Sequence, residues 1–371
     1  MSLEEKIGQM TQVEKNSIKP GDITKYYIGS ILSGGGGSPA SNTVEAWYEM
    51  VDGYQEEALK TRLAIPIIYG VDAVHGHGNL LNATIFPHNI GLGATNNPEL
   101  VEKIGRATAE EILATGIHWN FSPVVAVVQD VRWGRTYEGF GEDTELVTTL
   151  GTAYVEGMQT LEEGDSVSPS QTIFSLATPK HYLGDGGTIW GSSRQNIMNT
   201  KYMLDQGNMQ IPEKVIRELY LPPYASAVDA GALSVMASFS SWKGTKMHAQ
   251  QYLLTDVLKD ELGFNGFIVS DWQGMDQIYP DDYYASIVTS VNAGVDMNMV
   301  PYDYVKFIET MKQAVDYGDI PESRVDEAVR RILRVKFALG LFESPMPDTK
   351  YQATVRSREH LELAQQAVRE S

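Results

Sequence analysis

The sequence predicts an α/β fold, and a (β/α)8 barrel of the TIM type with one strand irregular or missing fits it best. Short hydrophobic runs alternate with amphipathic helical segments along most of the chain, which is typical of parallel strands joined by crossover helices. The runs are apolar throughout, as expected of strands that are covered on both faces. Polar residues follow the ends of successive runs. A doubly wound sheet is the alternative.

The elements follow from local patterns. Ser2 and Glu5 have the spacing of a capping box at the start of a helix. Amphipathic periodicity predicts helices over 97–116, 252–264 and 321–342. Two polar or glycine-rich stretches, 33–41 and 161–172, are predicted as loops, the first at the barrel mouth. Seven segments are predicted as strands: 27–33, 65–73, 116–127, 172–182, 232–240, 266–272 and 294–300.

Composition narrows the possible partners. The chain has 371 residues, a net charge of −19 and no cysteine. This charge argues against nucleic acid and anionic membranes as partners, and the lack of cysteine excludes disulfides and thiolate-bound metals. No apolar run approaches the roughly 18 residues of a membrane span. The first ten residues lack the basic start and apolar core of a signal peptide.

Ionisable and aromatic residues follow five of the predicted strands. In a (β/α) barrel the carboxyl ends of the strands meet at one mouth, where catalytic residues gather. Each residue alone has a structural explanation, such as a turn cap or a surface ion pair, but together they predict an active site. Four of these strands supply Asp72, His75, His77, Arg132, Arg135, Glu138, Lys180, His181, Asp185, Asp271 and Trp272, the last two ending the sixth predicted strand, and the fifth strand ends in the string SVMASFSSW.

Metal chemistry is the weaker interpretation of this set. His75 and His77 are two residues apart, but the chain has no HExxH motif and no cysteine to complete a zinc site. We therefore expect neither metal nor cofactor. Carboxylates, cations, a histidine and tryptophan suit a neutral sugar, and glycoside hydrolysis needs a carboxylate that nearby cations such as Lys180 and Arg135 keep ionised.

At these residues the sequence resembles family three of the glycoside hydrolases, and most closely its branch of exo-acting β-glucan glucohydrolases and β-glucosidases. The resemblance covers nearly the whole chain. The matching strings are LEEKIGQM, YGVDAVHGHGN, ATIFPHNIGLGAT, ATGIHWNFSPVVAV, RWGRTYEGFGED, KHYLGDGGT, SSWKGTKMHA, GFIVSDW, AGVDMNMV and RILRVKFALGLFE.

The resemblance implies a retaining exo-β-glucosidase that acts on β-glucans or β-gluco-oligosaccharides. It implies that Asp271 is the covalent nucleophile and that Trp272 forms a wall of the subsite for the leaving group. It also implies that the terminal glucosyl unit is bound by Asp72, Arg135, Lys180 and His181 and approached by Met236.

Three features depart from the family pattern. Phe239 stands where a tyrosine is common, and Val131 stands where the family often has proline. The general acid/base of two-domain members lies on a second α/β sandwich domain, so we expect residues 1–345 to form the barrel and 346–371 to lead toward such a domain. Glu138 and Glu142 are the alternatives for an acid/base within this chain.

Other functions remain open at this point. A family-three phosphorylase or β-N-acetylhexosaminidase would use a histidine in the loop after Lys180-His181, and that loop has none. A non-catalytic β-glucoside-binding barrel is the remaining alternative. The resemblance implies a secreted or periplasmic location, which the sequence by itself leaves unknown.

Overall fold

The computed structural model describes residues 1–34, 37–166, 168–197 and 200–371. In chain order the strands are β1 (Thr11–Glu14), β2 (Ser30–Ser33), β3 (Ile68–Val71), β4 (Trp119–Asn120), β5 (Asn196–Ile197), β6 (Thr200–Lys201), β7 (Asn208–Met209), β8 (Ser234–Met236), β9 (Ser241–Trp242), β10 (Thr245–Lys246), β11 (Phe267–Val269) and β12 (Asn298–Met299).

The α-helices surround these strands. They are α1 (Leu3–Gln9), α2 (Asp22–Tyr26), α3 (Val44–Leu59), α4 (Asn89–Thr95), α5 (Pro98–Leu113), α6 (Thr144–Gln159), α7 (Glu213–Val215), α8 (Pro222–Asp229), α9 (Tyr283–Ala293), α10 (Tyr304–Asp316), α11 (Glu322–Ala338) and α12 (Arg358–Glu370). Two further helices, Ile216–Tyr220 and Tyr252–Glu261, are wound as π-helices.

The parallel strands close into a barrel. The sheet runs in the order β12-β1-β2-β3-β4, and β8 pairs in parallel with β11. Parallel bridges from residues 176–182 to the β4 region on one side and to Ala237 on the other fill the gap between β4 and β8. A bridge from Val269 to Met297 completes the ring next to β12. The predicted (β/α)8 barrel is therefore confirmed, and the irregular strand is 176–182, at the fifth position.

The sequence analysis missed the first strand of the ring. Residues Thr11–Glu14 follow α1 almost directly, and most of this short strand is polar, so no hydrophobic run marks it. Inside the barrel, Gln12 donates a hydrogen bond of 2.9 Å to the hydroxyl of Ser30. As a consequence β11, which leads to Asp271, is the seventh strand of the ring and not the sixth.

The predicted helices form where their caps indicated. Ser2 and Glu5 make the capping box of α1. Asn97 accepts a hydrogen bond from the backbone N–H of Leu100 at the start of α5. The helix predicted over 252–264 is the π-helix Tyr252–Glu261, and the one over 321–342 is α11. Within the described ranges, none of the helices has the length and apolar character needed to cross a membrane.

A buried lysine joins strands at the amino-terminal end of the barrel. Lys336 is fully buried, and its ammonium donates to the side-chain oxygen of Gln9 at 2.7 Å and to the carbonyl oxygens of Gly29 at 2.9 Å and Pro66 at 2.7 Å. These three residues precede β1, β2 and β3. A single side chain on α11 therefore joins the starts of three successive strands.

Residues 346–371 pack against the outside of the barrel. A 3₁₀ turn, Thr349–Thr354, leads to α12, which contacts α4 and α5. His360 of α12 is buried, with its ring nitrogens 2.9 Å from Glu111 and 3.3 Å from Glu110. Burial opposes the charge on the ring, but the two carboxylates outweigh it and raise the pKa of His360 to about 9.

Candidate active site

Five of the predicted site residues form one connected cluster at the carboxyl ends of the strands. The ammonium of Lys180 lies 2.6 Å from Asp72. The neighbouring residue, His181, has its Nε2 atom 3.3 Å from the guanidinium of Arg135 and 3.6 Å from Oδ2 of Asp271. These residues come from four regions of the barrel, so the fold brings together groups far apart in sequence.

The backbone fixes one oxygen of Asp271 and leaves the other open. Oδ1 accepts a hydrogen bond of 2.6 Å from the backbone N–H of Trp272. Oδ2 is buried and has no hydrogen-bond partner among the described residues. The backbone N–H of Asp271 donates to Nε2 of His248 at 3.0 Å. Burial lowers the pKa of His248 to about 3, so its ring is neutral and can accept.

Burial raises the pKa of Asp271, and the charges of His181, Arg135 and Lys180 partly offset this effect. A carboxylate that must be ionised to react therefore depends on its cationic neighbours.

A buried carboxylate supports His181 from the other side. Oδ2 of Asp185 lies 2.6 Å from Nδ1 of His181. The hydroxyls of Ser238 and Ser240 donate to Oδ1 of Asp185. Burial opposes ionisation, but His181 and the other neighbours lower the pKa of Asp185 overall. Asp185 thus orients the imidazole so that Nε2 faces Asp271.

Lys180 is buried, but it has fewer hydrogen-bond acceptors around it than an ammonium has N–H groups. Its side chain is 5% exposed, whereas that of Asp72 is 40% exposed. Within the described residues its only hydrogen-bond acceptor is Oδ1 of Asp72, although an ammonium can donate three bonds. The pair therefore offers free donors, and a free carboxylate oxygen on Asp72, to a polar ligand.

Glu138 holds Arg135 in a two-point contact. Nε of Arg135 lies 2.9 Å from Oε1 and the terminal nitrogen 2.7 Å from Oε2. Burial would raise the pKa of Glu138, but Arg135 lowers it overall. A carboxylate that is held ionised in this way is poorly suited to donate a proton. Glu142, the other in-chain alternative, is exposed to solvent.

Trp272 is held between a glycine and a tyrosine. A Cβ atom on Gly34 would lie 2.6 Å from a carbon of the indole ring, so only glycine leaves room for the ring as it stands. The ring of Tyr302 also contacts the indole edge to face, with centroids 5.6 Å apart. The two loops fix the indole beside Asp271.

Other predicted residues make contacts outside the cluster. Met236 is buried, only 2% exposed, at the end of β8. Phe239 packs against the ring of His248, with centroids 6.1 Å apart. His77 is buried against Thr115, while His75 packs on His88. The described ranges contain no group of three or more side chains placed to hold a metal ion.

Residue types alone did not reveal three of these contacts. His248 lies in the matched string SSWKGTKMHA, but nothing in the sequence shows that it meets the backbone of Asp271. Glu138 was predicted near the site without its tie to Arg135. Tyr302 follows β12 and was not singled out. In the sequence, the one indication of such contacts is that polar and aromatic residues follow the strands.

Fold and site together define a (β/α)8 barrel with a carboxylate-containing polar cluster at the mouth, the architecture of many hydrolytic enzymes. Residues 2–335 match the family described as "Glycosyl hydrolase family 3 N terminal domain". The chain belongs to this family.

Relatives and solved structures of similar fold support this family assignment. The chain is 36% identical to a lysosomal beta glucosidase of Dictyostelium discoideum, over 94% of this chain and 44% of that protein. It is 30% identical to a periplasmic beta-glucosidase of Salmonella typhimurium, over 99% of this chain and 46% of that protein. A crystal structure of exo-1,3/1,4-beta-glucanase from a Pseudoalteromonas species superposes with a TM-score of 0.88 and 40% identity, covering 100% of this chain and 46% of that chain. The chain therefore spans about half the length of these relatives.

Proposed function

We propose that this barrel is the catalytic domain of a retaining, exo-acting β-glucosidase or β-glucan glucohydrolase. The observation that carries the proposal is the open oxygen of Asp271, which is buried, without a hydrogen bond among the described residues, and 3.6 Å from His181. The family, and relatives named as beta-glucosidases and an exo-glucanase, support the choice of reaction.

In the proposed reaction Oδ2 of Asp271 attacks the anomeric carbon of a terminal glucosyl unit. A bond forms between this oxygen and the carbon, and the bond to the leaving oxygen breaks, which gives a glucosyl ester. Water then displaces Asp271 from the opposite face, so the configuration is retained after two inversions. His181 and Arg135 stabilise the ionised carboxylate before the attack and after its release.

The glucosyl unit would be recognised by the polar groups around Asp271. Lys180, Arg135 and His181 can donate to sugar hydroxyls, and the free oxygen of Asp72 can accept from them. Charge-assisted hydrogen bonds of this kind are worth roughly 1.5–3 kcal/mol each. Trp272 would contact the group on the other side of the cleaved bond.

The general acid/base is proposed to come from a further domain. Glu138 is committed to Arg135 and Glu142 is exposed, so neither supports the in-chain alternative. Because the relatives are about twice as long as the matched region, we propose that residues 1–345 form the barrel and that 346–371, with α12, lead to a C-terminal domain that supplies the proton donor.

Trapping of the ester tests the proposal. A 2-deoxy-2-fluoro-β-glucoside with a dinitrophenyl leaving group needs little help from an acid, so it should label the barrel at Asp271, as peptide mass spectrometry would show. The Asp271→Asn variant should not be labelled. A folded wild-type protein that binds the glucoside without labelling would instead be a binding module.

The role of the further domain has its own test. The chain of 371 residues alone should release glucose from oligosaccharides about 10²–10⁴-fold more slowly than the complete protein, since a general acid contributes that much. Azide, which needs no general base, should accelerate breakdown of the ester and yield β-glucosyl azide. Full activity on oligosaccharides without an azide effect would place the acid/base within the chain.

A further inference from the structure

An exposed tyrosine extends the aromatic surface beside the nucleophile. Tyr302 is 53% exposed, although it is a large aromatic residue at the mouth of the barrel. Its aromatic partner among the described residues is Trp272, which it meets edge to face at 5.6 Å and 77°. The nearly perpendicular ring of Tyr302 thus places a second, exposed aromatic residue next to the tryptophan that follows Asp271.

Neighbouring strands hold this pair in place. Trp272 follows β11 and Tyr302 follows β12. The backbone N–H of Gln273 donates to the carbonyl of Met299 at 3.2 Å, and that of Glu14 donates to the carbonyl of Pro301 at 3.2 Å. These bonds tie the residues just before Tyr302 to the segments that carry Trp272 and Glu14.

Exposure alone would not distinguish Tyr302 from other surface tyrosines. Tyr317, at the end of α10, is 70% exposed and has no aromatic partner in the described part of the chain. Because α10 runs back from the mouth, Tyr317 lies toward the opposite end of the barrel. Tyr302 differs in being coupled to the aromatic residue adjacent to the nucleophile.

We propose that Tyr302 forms a second subsite on the leaving-group side, which binds the sugar ring that follows the one on Trp272. This inference rests on the proposed function. The apolar C–H face of a β-linked sugar packs on an aromatic ring, and the exposed ring of Tyr302 adjoins that of Trp272. Substrates with two or more sugars beyond the cleaved bond would therefore gain affinity that a disaccharide lacks.

The test compares substrate lengths in the catalytically complete protein. Rates are measured for Tyr302→Ala, Tyr302→Phe and the control Tyr317→Ala with the di-, tri- and tetrasaccharides of the β-1,3 and β-1,4 glucan series. Tyr302→Ala should lower kcat/KM for tri- and tetrasaccharides by about 3- to 10-fold through KM, the range expected for loss of an aromatic contact. The decrease in kcat/KM for disaccharides should be smaller. Tyr302→Phe should retain most of the wild-type kcat/KM for the longer substrates.

Binding gives a second readout that does not need turnover. In an Asp271→Asn background, calorimetry should show that Tyr302→Ala weakens the tetrasaccharide more than the disaccharide, while Tyr317→Ala weakens neither. An equal loss for all lengths would show that Tyr302 merely supports Trp272 and would overturn the inference, as would no loss at all. A wild-type protein that hydrolyses no β-glucoside would overturn the proposed function, and the inference with it.

Discussion

Two buried lysines, one at each end of the barrel, show how the same side chain serves opposite purposes. Lys336 at the amino-terminal end has three oxygen acceptors between 2.7 and 2.9 Å. Lys180 at the carboxyl end has one, Asp72 at 2.6 Å, within the described residues. The Nζ atom of Lys336 thus has as many acceptors as an ammonium has N–H groups, whereas that of Lys180 has fewer among the described residues.

The same difference holds for a buried aspartate at each end of the barrel. Near the amino-terminal end Asp296 accepts from Lys259 at 2.8 Å, Arg324 at 2.7 Å and the backbone N–H of Ile268 at 2.8 Å. At the mouth Asp271 keeps one buried oxygen without a partner among the described residues. An unmade buried hydrogen bond costs free energy, and the open oxygen of Asp271 lies at the mouth, where a ligand can complete it.

Replacement of Lys180 should have the largest effect. In Lys180→Met two donors for sugar hydroxyls and the partner of Asp72 are lost, so kcat/KM for β-glucosides should fall by about 10²- to 10⁴-fold. The free energy of unfolding should change by less than about 1 kcal/mol, because an incompletely paired buried charge contributes little to stability. Steady-state kinetics and urea unfolding measure the two quantities.

A Lys180→Met protein with near-normal kinetics but much reduced stability would contradict this assignment. It would mean that Lys180 is a structural residue like Lys336.

Replacement of Lys336 should have the opposite signature. Lys336→Met leaves the buried oxygens of Gln9 and Pro66 without a donor, whereas Gly29 keeps the backbone N–H of Ile68, and stability should fall by about 3 kcal/mol. Active-site titration with the fluorinated glucoside should show that kcat per folded molecule is unchanged. If Lys336→Met unfolded like the wild type but lost kcat, Lys336 would have a functional role, and the assignment of stability to one end and function to the other would be wrong.

Much of this difference between the two ends of the barrel was predictable from the sequence. Asp72, Lys180 and Asp271 follow apolar runs, and the carboxyl ends of parallel strands must meet, so their approach follows from the fold class. Lys336 carried no such signal, because its partners are mostly backbone carbonyls far away in sequence. The strand β1 was missed for a similar reason, since Gln12 is polar but bonds inside the barrel.

The finer geometry of the site depends on packing that no local pattern records. That His248 accepts from the backbone of Asp271 follows from the path of the loop between β10 and the π-helix Tyr252–Glu261. A Cβ atom on Gly274 would lie 2.4 Å from the ring of His248, so this contact also requires a glycine. Such requirements become visible only when both partners are placed.

A third substitution tests the mouth without removing a polar group. In Gly34→Ala the new Cβ atom would lie 2.6 Å from the Trp272 ring, which must shift. We expect kcat/KM for disaccharides to fall by about tenfold, the order of one lost aromatic contact. Aryl glucosides with good leaving groups should be less affected, and Gly53→Ala, where a Cβ meets nothing within 4 Å, is the control. Equal rates for Gly34→Ala and wild type would show that Trp272 is not part of the wall.

The smallest expected effect is a shift in pH dependence. The charge of Lys180 is one of the factors that lower the pKa of Asp271 against the effect of burial. Removal of this charge in Lys180→Met should raise that pKa further. In the pH profile of the labelling rate with the fluorinated dinitrophenyl glucoside, the acidic limb should therefore move to higher pH. The labelling step reports Asp271 itself, because it needs little help from an acid. Lys336→Met should leave the limb in place, since Lys336 lies at the other end of the barrel and is not among the charges that act on Asp271. An identical shift in both variants would mean that the limb reports general loosening of the fold, and an unchanged limb in Lys180→Met would separate Lys180 from the electrostatics of the nucleophile.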